Sequence, residues 1–220
     1  MNKLESIAIA VSKIKDGDSL MVGGFMGVGA PSMIIDEIVR QGIKNLCLIT
    51  SDTASPNRGV GKLIDNGLVR KVVASHIGTN SVTQELMMNG SIEVELFPQG
   101  TLAEKIRSGG SGIAGFLVRT GTGTLVAEGK DTLNIDGIEY LLEKSITADH
   151  SILFSEQADV IGNLKYRLAA GNFNPVMAMA SKNVIAEARE IVPLGSFDPD
   201  EIHTPSCFID SVVSGTRGSL

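Results

Sequence analysis

The sequence predicts an α/β protein with an open, mostly parallel sheet, helices on both faces of that sheet, and a smaller antiparallel β-rich insertion. Strand-like and helix-like patterns alternate through the first half of the chain, and this order is typical of parallel sheets. Residues 46–50 form an apolar run of the kind found in strands that are buried on both faces. Short strand-like runs around an Asp136-Gly137 turn indicate the antiparallel part.

The spacing of apolar residues places the elements of the first half. Pro31 and Ser32 begin the second helix and Gly42 ends it, because Pro is favoured at the first helical position and Gly just after the last. The predicted elements, in chain order, are a helix at 4–14, a strand at 19–22, a helix from 31, strands at 46–50 and 71–75, a helix at 83–88, a strand at 92–97 and a helix at 102–107.

The middle of the chain has a different character. Residues 108–123 are rich in glycine and lack a helical period, which predicts a long loop that is functional or disordered. Residues 183–190 fit either a helix or a strand. We expect one domain over residues 1–220, with the β-rich insertion at about 108–145. The strands predicted beyond the glycine-rich segment lie at 124–126, 133–135, 140–142 and 151–154.

Charge and composition exclude several classes of function. The net charge is −6 and no cluster of Lys and Arg stands out, so nucleic acid is not an expected partner. No run approaches the ~20 apolar residues of a membrane helix, and the first residues lack the apolar core of a signal peptide. Cys47 lies in an apolar run, and neither it nor Cys207 belongs to a CxxC motif, which favours a buried, reduced thiol. We therefore expect a cytoplasmic protein with no membrane partner.

The glycine-rich loop at residues 23–30 is the first candidate site. A strand, a glycine-rich turn and a helix N-terminus together form an anion-binding site, because backbone N–H groups and the helix dipole face the ligand. A tight turn without a ligand is the alternative explanation of the same glycines. A dinucleotide-binding fold is another, because Gly27 and Gly29 open a helix and Asp52 ends the next strand, although Ser32 replaces the third glycine of that motif.

A series of sequence blocks extends over nearly the whole chain. The blocks are Asp16-Gly17-x-x-Leu20-Met21-Val22-Gly23-Gly24-Phe25-x-x-x-Gly29-x-Pro31, Ser75-His76-Ile77-Gly78-Thr79-Asn80, Pro98-Gln99-Gly100-Thr101-Leu102-Ala103-Glu104, Gly109-Gly110-x-Gly112, Thr120-Gly121-x-Gly123-Thr124, Gly162-Asn163-Leu164 and Asn172-Phe173-Asn174-Pro175. These blocks resemble those of the family I coenzyme A-transferases, in the same order. The chain is most similar to the A (α) subunits of the acetate, butyrate and acetoacetate enzymes, and it departs from the family where Ala169-Ala170-Gly171 replaces Ser-Ala-Arg.

The resemblance implies a ping-pong reaction. A Glu carboxylate attacks an acyl-CoA thioester, passes through a mixed anhydride and becomes a glutamyl-CoA thioester, from which a second carboxylic acid takes the CoA. In the family this Glu lies in a Ser-Glu-Asn-Gly motif of the B (β) subunit, and this sequence has no such motif. The nearest match is Ser155-Glu156-Gln157-Ala158, in which we interpret Glu156 as an ordinary carboxylate at the end of a strand.

The resemblance therefore implies a heteromeric enzyme for short-chain acids, α2β2 or larger, whose B subunit carries the nucleophile. Acyl-CoA thioesters and short-chain carboxylic acids are its substrates, and no permanently bound cofactor is expected. It also implies that Gln99 acts as a side-chain amide donor toward the oxyanion of the reacting carbonyl. The residues that it places in the CoA or acyl site are Gly24, Phe25, Met26, Gly27, Val28, Gly29 and Ala30.

Two alternatives to a CoA-transferase remain at this point. A sugar-phosphate isomerase or nucleotide-binding enzyme on a similar fold needs a complete acid/base set within this chain, and the sequence offers none. A binding or regulatory protein that has kept the family's fold is the second alternative. The histidines, His76, His150 and His203, lie far apart and lack the spacing of metal ligands, so no metal centre is expected.

Overall fold

An eight-stranded sheet dominates the computed structural model, which describes residues 2–215. Its strands run in the order β11-β10-β8-β1-β2-β3-β4, and every pair along this path is parallel, while β9 pairs antiparallel with β8. The predicted open, mostly parallel sheet is confirmed. The strands of the two sheets are β1 (Ser19–Val22), β2 (Leu46–Thr50), β3 (Val69–Ala74), β4 (Glu93–Leu96), β5 (Gly115–Val118), β6 (Thr132–Ile135), β7 (Ile138–Lys144), β8 (Ala148–Asp159), β9 (Leu164–Lys165), β10 (Ser181–Val192) and β11 (Ser211–Ser214).

Helices cover both faces of this sheet and create a core on each side, as predicted. Along β1, Leu20 packs into one core and Met21 into the other, because successive side chains of a strand point to opposite faces. Helix α2 fills the first core and helices α5 and α6 fill the second. The helices are α1 (Ile7–Val11), α2 (Ser32–Gln41), α3 (Gly61–Asp65), α4 (Ser81–Met88), α5 (Gln99–Gly110) and α6 (Asn174–Met179), with single 3₁₀ turns at Leu125–Ala127, Leu168–Gly171, Pro199–Glu201 and Ser206–Phe208.

The first helix is shorter than the apolar spacing predicts. Helix α1 begins only after Ser6, whose hydroxyl accepts a hydrogen bond from the amide of Ile9. Leu4 precedes the helix and forms a parallel bridge with Val212 of β11. The prediction of a helix from residue 4 was therefore wrong, because a long-range strand contact holds this end of the chain extended.

The glycine-rich segment at 108–123 is not the single long loop predicted. Helix α5 continues to Gly110, and strand β5 occupies part of the remainder. A Cβ on Gly109 would overlap the carbonyl oxygen of Ile146, and one on Gly110 would lie 2.7 Å from the Cβ of Met179. These two glycines therefore let the end of α5 pack closely against the neighbouring chain, and they indicate tight packing rather than a flexible loop.

The smaller antiparallel sheet is confirmed, with one of its predicted strands misplaced. Its order is β5-β7-β6, and the turn between β6 and β7 has positive φ angles at Asp136 (53°) and Gly137 (80°), as a two-residue hairpin requires. The strand predicted at 124–126 is wrong. The hydroxyl of Thr124 accepts a hydrogen bond from the amide of Val126 and begins the 3₁₀ turn there.

A buried ionic cluster joins the small sheet to helix α5. The Nζ of Lys105 lies 2.8 Å from Oε2 of Glu143, and Lys130 pairs with the other carboxylate oxygen. Both ammonium groups lie over the ring of Phe97, at 4.4 and 5.2 Å from its centroid. Burial acts to raise the pKa of Glu143, but the hydrogen bonds from the two lysines hold it below its ordinary value. The charge of this carboxylate is thus compensated inside the protein.

Several other elements differ from the sequence prediction. Residues 183–190, which fitted either structure, lie in strand β10, and the core strand predicted at 151–154 is the centre of the longer β8. The elements that the apolar spacing missed are α3, α6, β5, β9 and β11. Cys47 has a free thiol and is half-buried rather than buried, because its neighbours across the adjacent strands are the polar residues Ser19 and Lys71.

Candidate active site

The candidate site lies where the parallel strands β1, β2, β3 and β4 end. Their carboxyl ends meet at one edge of the sheet, which is the usual position of ligand sites in open α/β folds. The loops that follow them are tied to one another. Met26 of the first loop contacts Asp52 of the second, and Thr53 donates its amide hydrogen to the carbonyl oxygen of His76 in the third at 3.2 Å. Gln99 begins helix α5 just after β4.

The loop after β1 folds into a tight turn at its tip. The amides of Phe25 and Val28 each donate to the carbonyl oxygen of the other, at 2.9 and 2.8 Å. The two central residues have positive φ angles, 52° at Met26 and 76° at Gly27. Both φ values belong to a type I′ turn, which few residues other than glycine and asparagine adopt without strain. Phe25 and Val28 are consequently exposed by about half on either side of the tip.

A buried carboxylate supports this turn from beneath. Asp52 is 3% exposed, and its oxygens accept hydrogen bonds from the amide of Met26 at 3.0 and 3.2 Å and from that of Ala54 at 2.7 Å. These contacts occupy the carboxylate with the protein's own backbone. The interpretation of Asp52 as a ribose-binding acid, on which the dinucleotide alternative depends, is therefore wrong.

A second buried carboxylate fills the N-terminus of helix α2. Glu187, on strand β10, accepts hydrogen bonds from the amides of Met33 at 2.9 Å and Ile34 at 3.0 Å. Burial raises the pKa of this carboxyl to about 7, although the two amide hydrogen bonds act to lower it. The helix N-terminus that the sequence offered as an anion site is therefore already occupied by a side chain of the same chain.

The amides that remain open belong to the loop itself. Among residues 2–215, the N–H groups of Gly24, Gly27, Gly29 and Ala30 donate to no protein atom. Peptide N–H groups at a glycine-rich turn form a concave donor surface for anions or for a carbonyl oxygen. The loop thus holds four amides without a protein acceptor, whereas two amides at the start of α2 are bonded to Glu187.

Glycines also let the loop approach the chain around residues 170–174. A Cβ on Gly23 would overlap Oδ1 of Asn174, and one on Gly29 would lie 3.0 Å from the backbone of Ala170. Asn174 is fully buried, and its Nδ2 donates to the carbonyl oxygen of Phe154 at 2.9 Å. This asparagine holds the start of the loop against strand β8.

Gln99 lies at the opposite side of the same edge. Its Nε2 donates to the Ser51 hydroxyl at 3.0 Å, and its Oε1 accepts from the Ser75 hydroxyl. One N–H bond of the amide is thus used and the second faces away from these partners. The first three amides of α5 also lack a partner within the described chain, and its preceding residue, Pro98, offers no side-chain cap. The positive end of this helix is therefore open beside Gln99.

The comparisons with known proteins agree with this geometry. The family model for coenzyme A transferase matches residues 4–215. The chain belongs to the coenzyme A transferase family. It is 47% identical to the alpha subunit of the acetate CoA-transferase of Escherichia coli strain K12 over 211 residues, which is 96% of each chain. It is 46% identical to the acetoacetyl-CoA:acetate/butyrate CoA transferase alpha subunit of Clostridium acetobutylicum, over 92% of this chain and 93% of that one.

Solved structures show the same fold. The acyl-CoA transferase YdiF of Escherichia coli O157:H7 superposes with a TM-score of 0.83 at 23% identity over 97% of this coenzyme A transferase chain. The chain spans about half of YdiF, since it covers 47% of that protein. Glutaconate coenzyme A-transferase from Acidaminococcus fermentans gives a TM-score of 0.84 at 19% identity, over 96% of this chain and 75% of the other. The resemblance stated from sequence blocks is confirmed.

The remaining candidates of this CoA-transferase chain lie apart from the edge. Glu156 is inside strand β8 rather than at its end, and its carboxylate lies 3.2 Å from the Arg189 guanidinium. No three side chains among His, Cys, Asp and Glu come together as a metal site anywhere in residues 2–215. Within that same range no helix is both long enough and apolar enough to cross a membrane.

Sequence reasoning missed Ser51 and Glu187 as site residues of this transferase, and it named Asp52 and Asn174 without the contacts that they make. Ser51 and Asp52 stand directly after the apolar run of β2, and a polar pair in that position was a usable signal. Glu187 is an acid within the apolar run of β10, which also indicates a special role. Asn174 belongs to a block that the resemblance included, but its contact with Gly23 needed the structure.

The contact between Gly23 and Asn174 predicts a coupled pair of substitutions. Gly23→Ala should lower the free energy of unfolding by about 1–3 kcal/mol, because the new methyl group overlaps the Asn174 side chain. In the Asn174→Ala background the same change should be nearly neutral, because the space is then open. Urea unfolding of both single variants and the double variant measures this coupling.

Gly100→Ala is the matched control, since a Cβ there meets nothing within 4 Å. If Gly23→Ala lowers the free energy of unfolding equally in the wild-type and Asn174→Ala backgrounds, overlap with the Asn174 side chain is not the cause.

Glu187 predicts a pH dependence of stability. The folded chain holds a proton on this carboxyl up to a pKa of about 7, whereas the unfolded chain releases it near 4.5. The free energy of unfolding should therefore fall as pH rises from about 4.5 to about 7, by on the order of 3 kcal/mol, and then level off. Glu187→Gln, whose amide oxygen accepts from the same two amides, should remove this component.

Urea midpoints between pH 4.5 and pH 8 provide the measurement. The exposed Glu190 on the same strand provides the control variant, Glu190→Gln. Parallel pH profiles for wild type and Glu187→Gln would show that the buried carboxyl does not carry the effect.

Proposed function

We propose that this chain is the A (α) subunit of a heteromeric CoA-transferase that moves CoA between a short-chain acyl-CoA and a free carboxylic acid. The observation that carries the proposal is the similarity, over nearly the whole chain, to named α subunits of the acetate and the acetoacetyl-CoA:acetate/butyrate enzymes. Similarity to the corresponding chain of the succinyl-CoA:3-ketoacid coenzyme A transferase of Helicobacter pylori supports the same class, at 43% identity over 99% of this chain. The acids proposed are acetate, acetoacetate and butyrate.

The proposed reaction starts with a Glu carboxylate of a B (β) subunit. The carboxylate attacks the thioester carbonyl and expels the CoA thiolate, which leaves a mixed anhydride. The thiolate then attacks the glutamyl carbonyl, releases the first acid and forms the glutamyl-CoA thioester. A second carboxylate reverses these steps and leaves with the CoA. Each attack creates a tetrahedral oxyanion that needs hydrogen-bond donors.

This chain supplies donors and no nucleophile in the proposed mechanism. Gln99 has one N–H bond free at the edge of the sheet, next to the open N-terminus of α5. The amides of Gly24, Gly27, Gly29 and Ala30, in the loop after β1, have no protein acceptor within residues 2–215. We assign the oxyanion to Gln99 and the CoA or acyl group to the loop from Gly24 to Ala30. The CoA thioester is a substrate of this site, and no permanently bound cofactor is proposed.

The proposed partner covers the loop face of the site. Phe25 and Val28 are about half exposed there, and Leu168 is 79% exposed in the segment whose Ala170 contacts Gly29. Exposed apolar side chains around a polar site are typical of an interface. Burying them against the B subunit would bring its Glu to the edge that holds Gln99.

A second apolar face suits the further copies of an α2β2 or larger assembly. The outer side of the small sheet exposes five apolar side chains by 37–51% each. Such a face is compatible with packing against its own copy, because an isologous contact places identical groups opposite each other. Its residues are Leu117, Leu133, Ile135, Ile138 and Leu142.

The proposed function predicts activity only in the assembled pair. CoA transfer from acetyl-CoA to butyrate and to acetoacetate should be absent with this chain alone and present when it is purified with the B subunit encoded beside it. The physical reason is that the carboxylates nearest the edge, Asp52 and Glu187, are buried in hydrogen bonds. Activity of the isolated chain would contradict the split site, and inactivity of the pair with every acid tested would favour a binding protein.

The proposed role of Gln99 predicts a loss in turnover. Gln99→Ala should lower kcat by about 10²–10³-fold, since it removes a donor to the oxyanion. Assembly with the B subunit should not change, because Gln99 packs on its own chain's Ser51 and Ser75. Steady-state kinetics and size-exclusion chromatography of the pair measure the two effects.

Gln41→Ala, at the far end of α2, is the control for this substitution. Unchanged kcat in Gln99→Ala would remove the oxyanion role from this residue.

A further inference from the structure

A strained loop after β2 carries an arginine to the glycine-rich turn. Ala54 and Asn57 have positive φ angles of 53° and 59°, and for Ala54 this conformation is costly and persists only where contacts enforce it. Here the Thr79 hydroxyl donates to the carbonyl oxygen of Ala54 at 2.7 Å, and the Asn57 amide donates to Oδ2 of Asp65 at 2.5 Å. The backbone that leads to Arg58 is thus held in place.

Two glycines allow Arg58 to cross the tip of the turn. A Cβ on Gly27 would lie 2.8 Å from Cγ of Arg58 and 3.1 Å from its Nε. A Cβ on Gly59 would in turn lie 2.9 Å from Cα of Gly27. Any larger residue at either position would push the arginine stem away from the turn. The absence of both side chains therefore lets the stem of Arg58 and its Nε lie against Gly27.

The guanidinium of Arg58 has no partner within residues 2–215. No carboxylate lies within ion-pair distance of it, and none of its N–H groups donates to a protein atom, although the side chain is exposed. Arg40, Arg107 and Arg189 each pair with an acid, whereas Arg70, Arg119 and Arg167 resemble Arg58 in having no acid partner within residues 2–215. The nearest acid in sequence, Asp52, is buried and already satisfied by two amides. Arg58 therefore keeps its donors available at the site.

We propose that Arg58, together with the amides of Gly27 and Gly29, binds an anionic oxygen group of the substrate. A guanidinium presents a planar fork of N–H donors that matches the terminal oxygens of a carboxylate or a phosphate, and unpaired peptide amides add donors beside it. The group is either a phosphate of CoA or a second carboxylate on the acid. The proposal rests on the proposed CoA-transferase function, and it assigns to Arg58 the binding of charge rather than the chemical step.

The test uses the assembled pair and compares Arg58→Gln with Arg58→Lys. Donors are acetyl-CoA and acetyl-dephospho-CoA, and acceptors are butyrate, which has one carboxylate, and succinate, which has two. Arg58→Gln should raise KM by about 10-fold or more for the substrate whose anion it binds, with kcat little changed, because a charge-assisted hydrogen bond is lost. Arg58→Lys should raise the same KM by less, since lysine keeps the positive charge but lacks the planar pair of N–H donors.

The pattern of KM changes identifies the source of the anion. A rise for acetyl-CoA that disappears with the dephospho donor assigns the 3′-phosphate, and a rise for both donors assigns the diphosphate. A rise for succinate but not for butyrate assigns the second carboxylate. Arg70→Gln is the matched control, because Arg70 is also exposed but stands near the start of β3, at the other end of the sheet.

The proposal is overturned if Arg58→Gln leaves every KM within about twofold of the wild-type value, or if Arg70→Gln causes the same change. Calorimetric titration of the pair with CoA and with succinate runs in parallel and requires no turnover. A wild-type pair that transfers no CoA would refute the proposed function. In that case the loss of CoA or succinate affinity in Arg58→Gln still supports the anion site, and equal affinity refutes it.

Discussion

The hydrogen bonds from the first amides of α2 to the buried carboxylate of Glu187 determine how the rest of the site is arranged. They join strand β10 to a helix that begins right after the glycine-rich loop, across 154 residues of sequence. A carboxylate at a helix N-terminus is favourable electrostatically, but this one is buried, and its pKa is raised to about 7 as a result. The helix end is closed to ligands, so the open donors lie in the loop that precedes it.

The side chains around the candidate site divide into buried groups that contact the loops and exposed groups that keep free donors. Asp52 and Asn174 lie beneath and beside the glycine-rich loop, and both are buried. Gln99 and Arg58 are exposed, and each keeps at least one N–H group without a protein partner within the described chain. The N-termini of the two helices differ in the same way. Glu187 fills the N-terminus of α2, whereas the N-terminus of α5 is open beside Gln99. Gly23 and Gly27 allow these close approaches, since a Cβ on Gly23 would overlap Asn174 and one on Gly27 would lie 2.8 Å from Arg58.

The sequence predicted the elements that local apolar spacing specifies and missed those that depend on distant contacts. Strands β1 and β2 were predicted with the right bounds, because their apolar runs are buried in the sheet. The glycines at the end of α5 were misread as loop, because only the position of Ile146 explains Gly109. Gln99 was named as a site residue because of the family resemblance. The contact of Glu187 with α2 depends on the fold, since 154 residues separate it from Met33. Asp52 entered only through the dinucleotide alternative, and its burial and its bonds to the amides of Met26 and Ala54 needed the structure.

The charge distribution along the edge supports the proposed division of the site between two chains. The loops that follow β1 to β4 contain a single acid at positions 23–30, 51–55, 75–80 and 97–101, and this acid is the buried Asp52. An edge that presents amides, hydroxyls and a guanidinium stabilises negative charge that arrives from outside. It provides no exposed carboxylate that could attack a thioester or repel an incoming one. In the proposed chemistry the free carboxylate therefore enters from a partner, and the amides, hydroxyls and guanidinium at this edge would stabilise its charge.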